Sequence, residues 1–415
     1  MESSRLNILA SAYKCYPDKD SESEVGWQWV FNLGRHHRIT AITRKHEDPI
    51  IIHKLIRENG SDVQFIYYEL PKCLRFLEKG NINHFIYYSL WQFGAFILAR
   101  KLVLRERFDL VQHFVFVNTW QPTYMAFLGI PFVFGPIGEN APIPYEIAKH
   151  YGKRVVLRER VNAFVKRVSK NYTPLMRAIY NRAVRVIAIS EAVKSSMRPQ
   201  VQKKCLVQPA IGALETKVNL PKESNPNQAL LKVLYVGRYI YRKGPDIALK
   251  AFLQFAERHP DVQFVMIGGG GMSYLLEELL SVSRHSAVVK ILGWLDRKEV
   301  KNYMQNCDIF LFPTFEAAGA VVLEAMSFAK PVVCLDFGGP SEFITDECGI
   351  KVKTSDMIGV VSGLVEALEK LYGSLGIRRS MGEEALRRFK ELYTWRQKTN
   401  WMNQVYIEVL TPSMT

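Results

Sequence analysis

One local pattern recurs along this chain: a short apolar run, then an amphipathic stretch, then another apolar run. Runs of that length are too short to stand as buried helices. The helical stretches between them are the crossovers that parallel strands require. The pattern predicts strands over 7–12, 39–43, 63–67, 110–114, 131–134 and 184–189 in the first half. In the second half it predicts strands over 232–236, 262–267, 288–292, 308–312, 331–335 and 349–352. No internal repeat or low-complexity tract interrupts it. At 415 residues the chain exceeds one ordinary core, because single cores stop growing at about 250–300 residues. The fold class that follows is α/β, with two doubly wound Rossmann-like domains facing a cleft. The expected division is a first domain over 1–207, a linker over 208–229 rich in Pro, Asn, Glu and Lys, and a second domain over 230–395. A helix over 396–415 completes it, able to pack back on the first domain.

If the six strands of the second domain follow the common doubly wound order, its first and fourth strands are neighbours where the order reverses. Ligands bind at the carboxyl ends of such strands. The two most chemically loaded segments lie there. The first, VGRYIYRKG over 236–244, follows the domain's first strand. Gly237 permits a close turn, and Arg238 and Lys243 can clamp a diphosphate, the arginine as a fork and the lysine as a point charge. The other reading of this loop is a solvated basic turn. The second segment, TFEAAGAVVLEA over 314–325, follows the fourth strand. Glu316 stands on the loop leaving the strand, and Glu324 about a turn inside the next helix. Glu324 is flanked by Val321, Val322, Leu323, Ala325 and Met326, where a carboxylate is costly unless something binds it. Gly319, Ala320 and Val321 offer backbone N–H groups at the helix start, which favour a phosphate. Amides for phosphate beside carboxylates for hydroxyls suit a sugar nucleotide.

Other segments are more open. The glycines of IGGGGM, 267–272, lack the spacing of a dinucleotide fingerprint and read as a tight turn able to line the cleft. Gly293 and Trp294 can meet a nucleobase or form a plain turn. FGGPSEF, 337–343, lets backbone approach a ligand or simply turns. In the first domain, Gly26 is expected to begin a helix after an acidic, serine-rich loop. His113 ends a strand, either as a core histidine or as a sugar-contacting group.

The net charge of +15 is uneven. Residues 149–198 hold 13 Lys and Arg against 2 Asp and Glu, with apolar residues interleaved at helical spacing. This suits a basic amphipathic helix on an anionic membrane surface. Nucleic acid is the competing partner, but no nucleic-acid-binding motif accompanies the charge. The six cysteines show no paired spacing and read as reduced core residues. No leader and no membrane-spanning run is expected, so the expected location is cytoplasmic, peripheral on the inner membrane face.

Taken together, VGRYIYRKG, the E-x7-E pair of FEAAGAVVLEA, and GGPSEF resemble family 4 of the retaining glycosyltransferases, which have the GT-B fold. SESEVGWQW and GIPFVFGPIGENAPIP are similar to a bacterial glycan-biosynthesis branch of it. The resemblance implies that Arg238 and Lys243 hold the donor diphosphate and that Glu316 contacts the donor sugar or supports its developing charge. It implies that Glu324 accepts the ribose hydroxyls and that Gly319, Ala320 and Val321 meet the phosphate. It also implies that His113 reaches the sugar and that Gly26 belongs to the glycine loop after the first strand. Such enzymes usually need no metal ion and no further cofactor. Two departures stand out. Ala317 and Ala318 replace a glycine and an aromatic after the first glutamate, and Glu139-Asn140 replace a glycine pair after Gly138. The expected function is retaining hexosyl transfer from a nucleotide diphosphate sugar to the hydroxyl of a membrane-associated glycan or lipid. A basic adaptor without catalysis and a sugar-nucleotide epimerase are the alternatives.

Overall fold

The computed structural model describes residues 5–17, 21–45, 49–78, 81–115, 118–215 and 230–411. Residues 216–229 of the expected linker lie outside the described residues. The chain divides into two compact units. The first comprises residues 1–139, 164–210 and 395–415, and the second residues 140–163 and 211–394.

The first unit is built on a parallel sheet of seven strands: β1 (Asn7–Ser11), β2 (Arg38–Thr43), β3 (Val63–Tyr67), β4 (Leu110–His113), β5 (Phe132–Ile137), β6 (Ala183–Ala188) and β7 (Cys205–Val207). Their spatial order is β3-β2-β1-β4-β5-β6-β7. Successive side chains on a strand point to opposite faces, and each face here has its own core. Leu9, Val111, Phe132 and Phe134 pack with Tyr88, Trp91 and Met176. Ile8, Ala10, Leu110 and Val133 pack with Trp29, Met402 and Tyr406 on the other face. Met402 and Tyr406 come from the Trp395–Leu410 helix, so residues far along the chain cover this sheet. The strand β7 was not expected. Its three residues, CLV, follow a Lys-Lys pair and are too few to show a period.

The second unit has six parallel strands: β8 (Leu231–Val236), β9 (Val262–Ile267), β10 (Val289–Ile291), β11 (Ile309–Phe312), β12 (Val332–Leu335) and β13 (Gly349–Val352). Their order is β10-β9-β8-β11-β12-β13, so the first and fourth strands of this sheet are neighbours.

The basic segment 149–198 is not one helix. It contains a helix at Lys153–Tyr172, another at Pro174–Arg182, and β6. The Lys153–Tyr172 helix is inverted relative to an ordinary surface helix. Glu159 and Lys170 are buried, while Leu157, Val161, Phe164, Val165, Val168 and Tyr172 are exposed. Among the described residues no helix is long and apolar enough to cross a membrane.

Candidate functional site

In the second sheet β8 and β11 run side by side, with Ile309 opposite Val233 and Phe310 opposite Leu234. The loops that leave them therefore start next to each other, and two hydrogen bonds fasten them together. The Phe315 N–H donates to the Arg242 carbonyl at 2.7 Å. The Thr314 hydroxyl donates to the same oxygen at 3.1 Å. A further bond lies within the second loop, where the Glu316 N–H donates to Thr314 Oγ1 at 3.2 Å, so the two loops themselves are joined by the two bonds to Arg242. Gly244 makes the close approach feasible. It has φ +59°, and a Cβ there would fall 2.2 Å from the Pro313 carbonyl oxygen, so only glycine fits without moving one loop.

The functional side chains follow from that fastening. Lys243 Nζ lies 3.2 Å from Glu316 Oε2, and the two side chains are 18 % and 14 % exposed. Lys243 also lies 5.6 Å from the centre of the Phe312 ring. Partial burial strengthens such a pair relative to one in bulk water. Arg238, on the same loop as Lys243, is exposed, and its guanidinium makes no hydrogen bond or ion pair among the described residues. Glu324 is half-buried on the Ala320–Ser327 helix. Burial pushes its carboxyl pKa up, and Arg297 and Lys301 pull it back. Its carboxylate makes no hydrogen bond among the described residues.

Gly319 caps the Ala320–Ser327 helix. The first chain-internal bonds there are those from the Val322 and Leu323 N–H groups to the Gly319 carbonyl, at 2.9 and 3.4 Å. Among the described residues the N–H groups of Gly319, Ala320 and Val321 donate no chain-internal hydrogen bond. On the other side of this loop, the Gly339 N–H donates to the Glu316 carbonyl at 3.0 Å. Gly338 has φ +70°, and a Cβ there would sit 2.3 Å from that same oxygen. The glycines of FGGPSEF thus approach the Glu316 loop itself. Gly293 has φ +69°, and its carbonyl accepts from the Gly268 N–H at 2.7 Å. The neighbouring Trp294 is exposed.

Seven of the expected donor-side residues therefore cluster on two loops of the second unit and the helix that follows one of them, where the strand order reverses. They are Arg238, Lys243, Glu316, Gly319, Ala320, Val321 and Glu324. Gly293 lies on the loop after β10. The remaining two belong to the first unit. His113 ends β4, is buried, and meets the Tyr88 hydroxyl at 3.1 Å through Nε2. Burial pushes its pKa down to about 3, so the ring is neutral across the physiological range. Gly26 does not begin a helix as expected. It lies inside the Ser21–Leu33 helix, where a Cβ would meet the Lys14 carbonyl oxygen at 2.2 Å. Its smallness lets that helix pack on the loop after β1.

Sequence reasoning missed the stretch 140–163, which joins the second unit. Asn140 Oδ1 accepts the Ala317 N–H at 2.7 Å. The buried Glu159 carboxylate pairs with the Arg242 guanidinium and accepts the Tyr241 hydroxyl at 2.9 Å. Tyr151 donates to the buried Asp246 at 3.0 Å. No local pattern points to their partners, which stand 82–177 positions away. Among the described residues no group of three or more His, Cys, Asp or Glu is placed to hold a metal ion.

Comparison with known proteins decides the family. The family model described as Glycosyltransferase Family 4 matches residues 32–209, and that described as Glycosyl transferases group 1 matches residues 217–388. The chain is a family 4-like protein with the GT-B fold. An uncharacterised glycosyltransferase of Methanocaldococcus jannaschii is 30 % identical over 186 residues, which is 44 % of this chain and 46 % of the relative. A GDP-mannose-dependent monoacylated alpha-(1-6)-phosphatidylinositol monomannoside mannosyltransferase of Corynebacterium glutamicum is 33 % identical over 141 residues. That match covers 32 % of this chain and 36 % of the relative. The matched stretch thus spans less than half of either curated relative. Among solved structures, a glycosyltransferase from Rickettsia africae superposes with a TM-score of 0.62 at 16 % identity, covering 99 % of this chain and all of that one. The likeness of this family 4-like chain to the Rickettsia structure is one of fold.

Proposed function

We propose that this protein is a retaining glycosyltransferase that moves a hexosyl group from a nucleotide diphosphate sugar to an acceptor hydroxyl on a lipid or lipid-linked glycan. The observation that carries the reading is the 3.2 Å contact of Lys243 with Glu316 on two loops fastened together at the switch point. A cation for the diphosphate and a carboxylate for the sugar thereby stand side by side. The nucleotide-sugar donor also has support in the name of the corynebacterial relative, which is GDP-mannose-dependent.

In this reading Arg238, Lys243 and the N–H groups of Gly319, Ala320 and Val321 hold the diphosphate. They stabilise the charge that gathers on it as the bond to the anomeric carbon breaks. Glu324 accepts the ribose hydroxyls, and Gly293 lies along the nucleobase. The acceptor oxygen attacks from the face the diphosphate leaves. The new C–O bond forms as the old one breaks, the electron pair departs on the diphosphate oxygen, and that oxygen takes the acceptor proton. Glu316 supports the positive charge developing on the sugar. The site belongs to loops, where small residues set the backbone and few side chains carry charge. The diphosphate charge is assigned to protein cations and amides, without a metal ion or other cofactor.

The exposed stripe of the Lys153–Tyr172 helix supports a membrane-associated acceptor. Leu157, Val161, Phe164, Val165, Val168 and Tyr172 fall at spacings of four, three, one, three and four, within an arc of about 120° on a helix of 3.6 residues per turn. Arg158, Arg160 and Arg167 flank that arc and are exposed. The helix's one acid, Glu159, points the other way and is buried. Such a face fits the headgroup region of an anionic bilayer. The location that follows is peripheral on the inner face of a membrane.

The test is ligand-induced stabilisation across nucleoside diphosphates and their sugars, followed by a transfer assay. A ligand at a hundred times its dissociation constant stabilises by about 2.7 kcal/mol, a readily measured shift in melting temperature. The reading predicts such a shift for one nucleotide series in the wild type and its loss in Lys243→Ala. A shift that survives in both Lys243→Ala and Glu324→Ala would defeat it.

A further inference from the structure

The two places where this chain departs from its family's pattern meet in space. Asn140, in place of a glycine, accepts the backbone N–H of Ala317, which also stands where a glycine is usual, at 2.7 Å. The N–H groups after Glu316 are thereby divided: that of Ala317 is taken by Asn140, while those of Gly319, Ala320 and Val321 remain for phosphate. The peptide between Glu316 and Ala317 is also held from the other side, because its carbonyl accepts the Gly339 N–H at 3.0 Å. Both polar atoms of one peptide unit are thus fixed by residues distant in the chain. A peptide held at both ends cannot rotate, and its orientation sets where the Glu316 side chain leaves the backbone.

Asn140 is itself anchored. Arg242 Nη1 donates to the carbonyl of the next residue, Ala141, at 3.2 Å. The same guanidinium pairs with Glu159, whose other oxygen accepts the Tyr241 hydroxyl. Glu159 also accepts the Ile143 N–H at 3.4 Å. Arg242 in turn is the residue whose carbonyl receives Phe315 and Thr314. The network runs from Glu159 through Arg242 to both loops of the site, and Asn140 closes it on Ala317.

We propose that Asn140 is a positioning residue that orients Glu316 toward the donor sugar, with Glu159 holding Asn140 in register. The inference rests on the donor-site reading above and adds a division of labour to it. Asn140 acts on the sugar end of the donor and leaves the nucleotide end untouched, because Glu324, Gly293 and the helix N–H groups do not depend on the peptide it holds.

A ladder of ligands tests this. Binding of the nucleoside monophosphate, the diphosphate and the diphosphate sugar is measured by calorimetry in wild type, Asn140→Ala and Glu159→Gln, in the uridine and guanosine series. Loss of one hydrogen bond is worth about 0.5–1.5 kcal/mol, or about two- to tenfold in affinity. Asn140→Ala is expected to weaken the sugar nucleotide by that factor, leave the monophosphate unchanged, and lower kcat more than it raises KM. Glu159→Gln is expected to show the same ladder and serves if Asn140→Ala does not fold. Equal affinities of wild type and Asn140→Ala for the sugar nucleotide overturn the inference while leaving the donor-site reading intact. Equal weakening of all three ligands also overturns it, since that reports general loosening. A wild-type protein that binds none of the ligands overturns both.

Discussion

Glu324, proposed above as the ribose-binding carboxylate, is held at the expense of the fold. Its carboxyl pKa is raised because burial disfavours the charged form. The sign follows from linkage: a raised folded-state pKa contributes stability below the usual carboxylate range, and that contribution is lost as the pH rises through the folded value. Glu324→Gln is therefore expected to raise the melting temperature at neutral pH, with the gain vanishing in acid. The same change is expected to abolish discrimination between ribose and 2′-deoxyribose forms of the nucleotide, since a neutral amide accepts hydroxyls less strongly than a carboxylate. Calorimetric melting at several pH values and paired binding titrations check the two halves. Lys398 is a second such residue. It is buried on the Trp395–Leu410 helix and bound to the Pro209 carbonyl, and burial pushes its pKa down to about 7. A depressed lysine makes the folded state more stable as the pH rises from about 7 toward the usual lysine value. Replacing Lys398 with Met is expected to flatten that part of the stability profile, as read by denaturant midpoints across the range.

Among the elements, the Lys153–Tyr172 helix makes the most specific demand. In the membrane-associated reading proposed above, its exposed apolar stripe and its flanking arginines would act through different physics. Charge attraction is screened by salt, with a Debye length of about 8 Å at physiological ionic strength, whereas apolar insertion is not. Arg158→Glu with Arg160→Glu is expected to weaken binding to phosphatidylglycerol vesicles and flatten its salt dependence. Phe164→Ser with Val165→Ser is expected to weaken binding at every salt concentration. Vesicle co-sedimentation at low and high salt separates them, and equal binding by all variants would remove the helix from consideration. Element by element, the sequence was legible where burial imposes a pattern. The strands after which Arg238 and Glu316 stand each carry a run of four apolar residues, 233–236 and 309–312, and the motifs follow them directly. The inverted helix was only half legible. Interleaved charges and apolar residues showed an amphipathic helix, but which side faces the protein depends on Glu159 and Lys170 finding partners at distant positions. Asn140 stood out as a departure, but its partner was hidden for the same reason: a single hydrogen bond across 177 residues leaves no local trace.

For the molecule as a whole, the units are not consecutive lengths of chain. Residues 140–163 pack with the second unit and residues 395–415 with the first. A fragment ending at residue 207 is therefore expected to lack part of its own cover. Without Trp395, Met402 and Tyr406, one face of the first sheet loses three large buried side chains. The buried hydroxyl of Tyr406 also bonds Gln112 on β4, and His37 meets Asn403 at 3.1 Å. Large-to-small changes in a core cost about 2–5 kcal/mol each, comparable to the whole stability of a domain. Expression of residues 1–207 alone is expected to give aggregated protein, and adding residues 390–415 as a separate peptide is expected to recover solubility, as size-exclusion chromatography would show.

The Trp395–Leu410 helix also fixes an order of events on the ribosome. The sheet it covers is made from residues that emerge early, but its lid emerges only after the second unit's residues, 211–394, have been synthesised. Domains generally complete as they leave the ribosome. Here the earlier unit must wait with an uncovered apolar face while the later one closes. That interval, which lengthens whenever translation slows, is when the nascent chain most needs a chaperone.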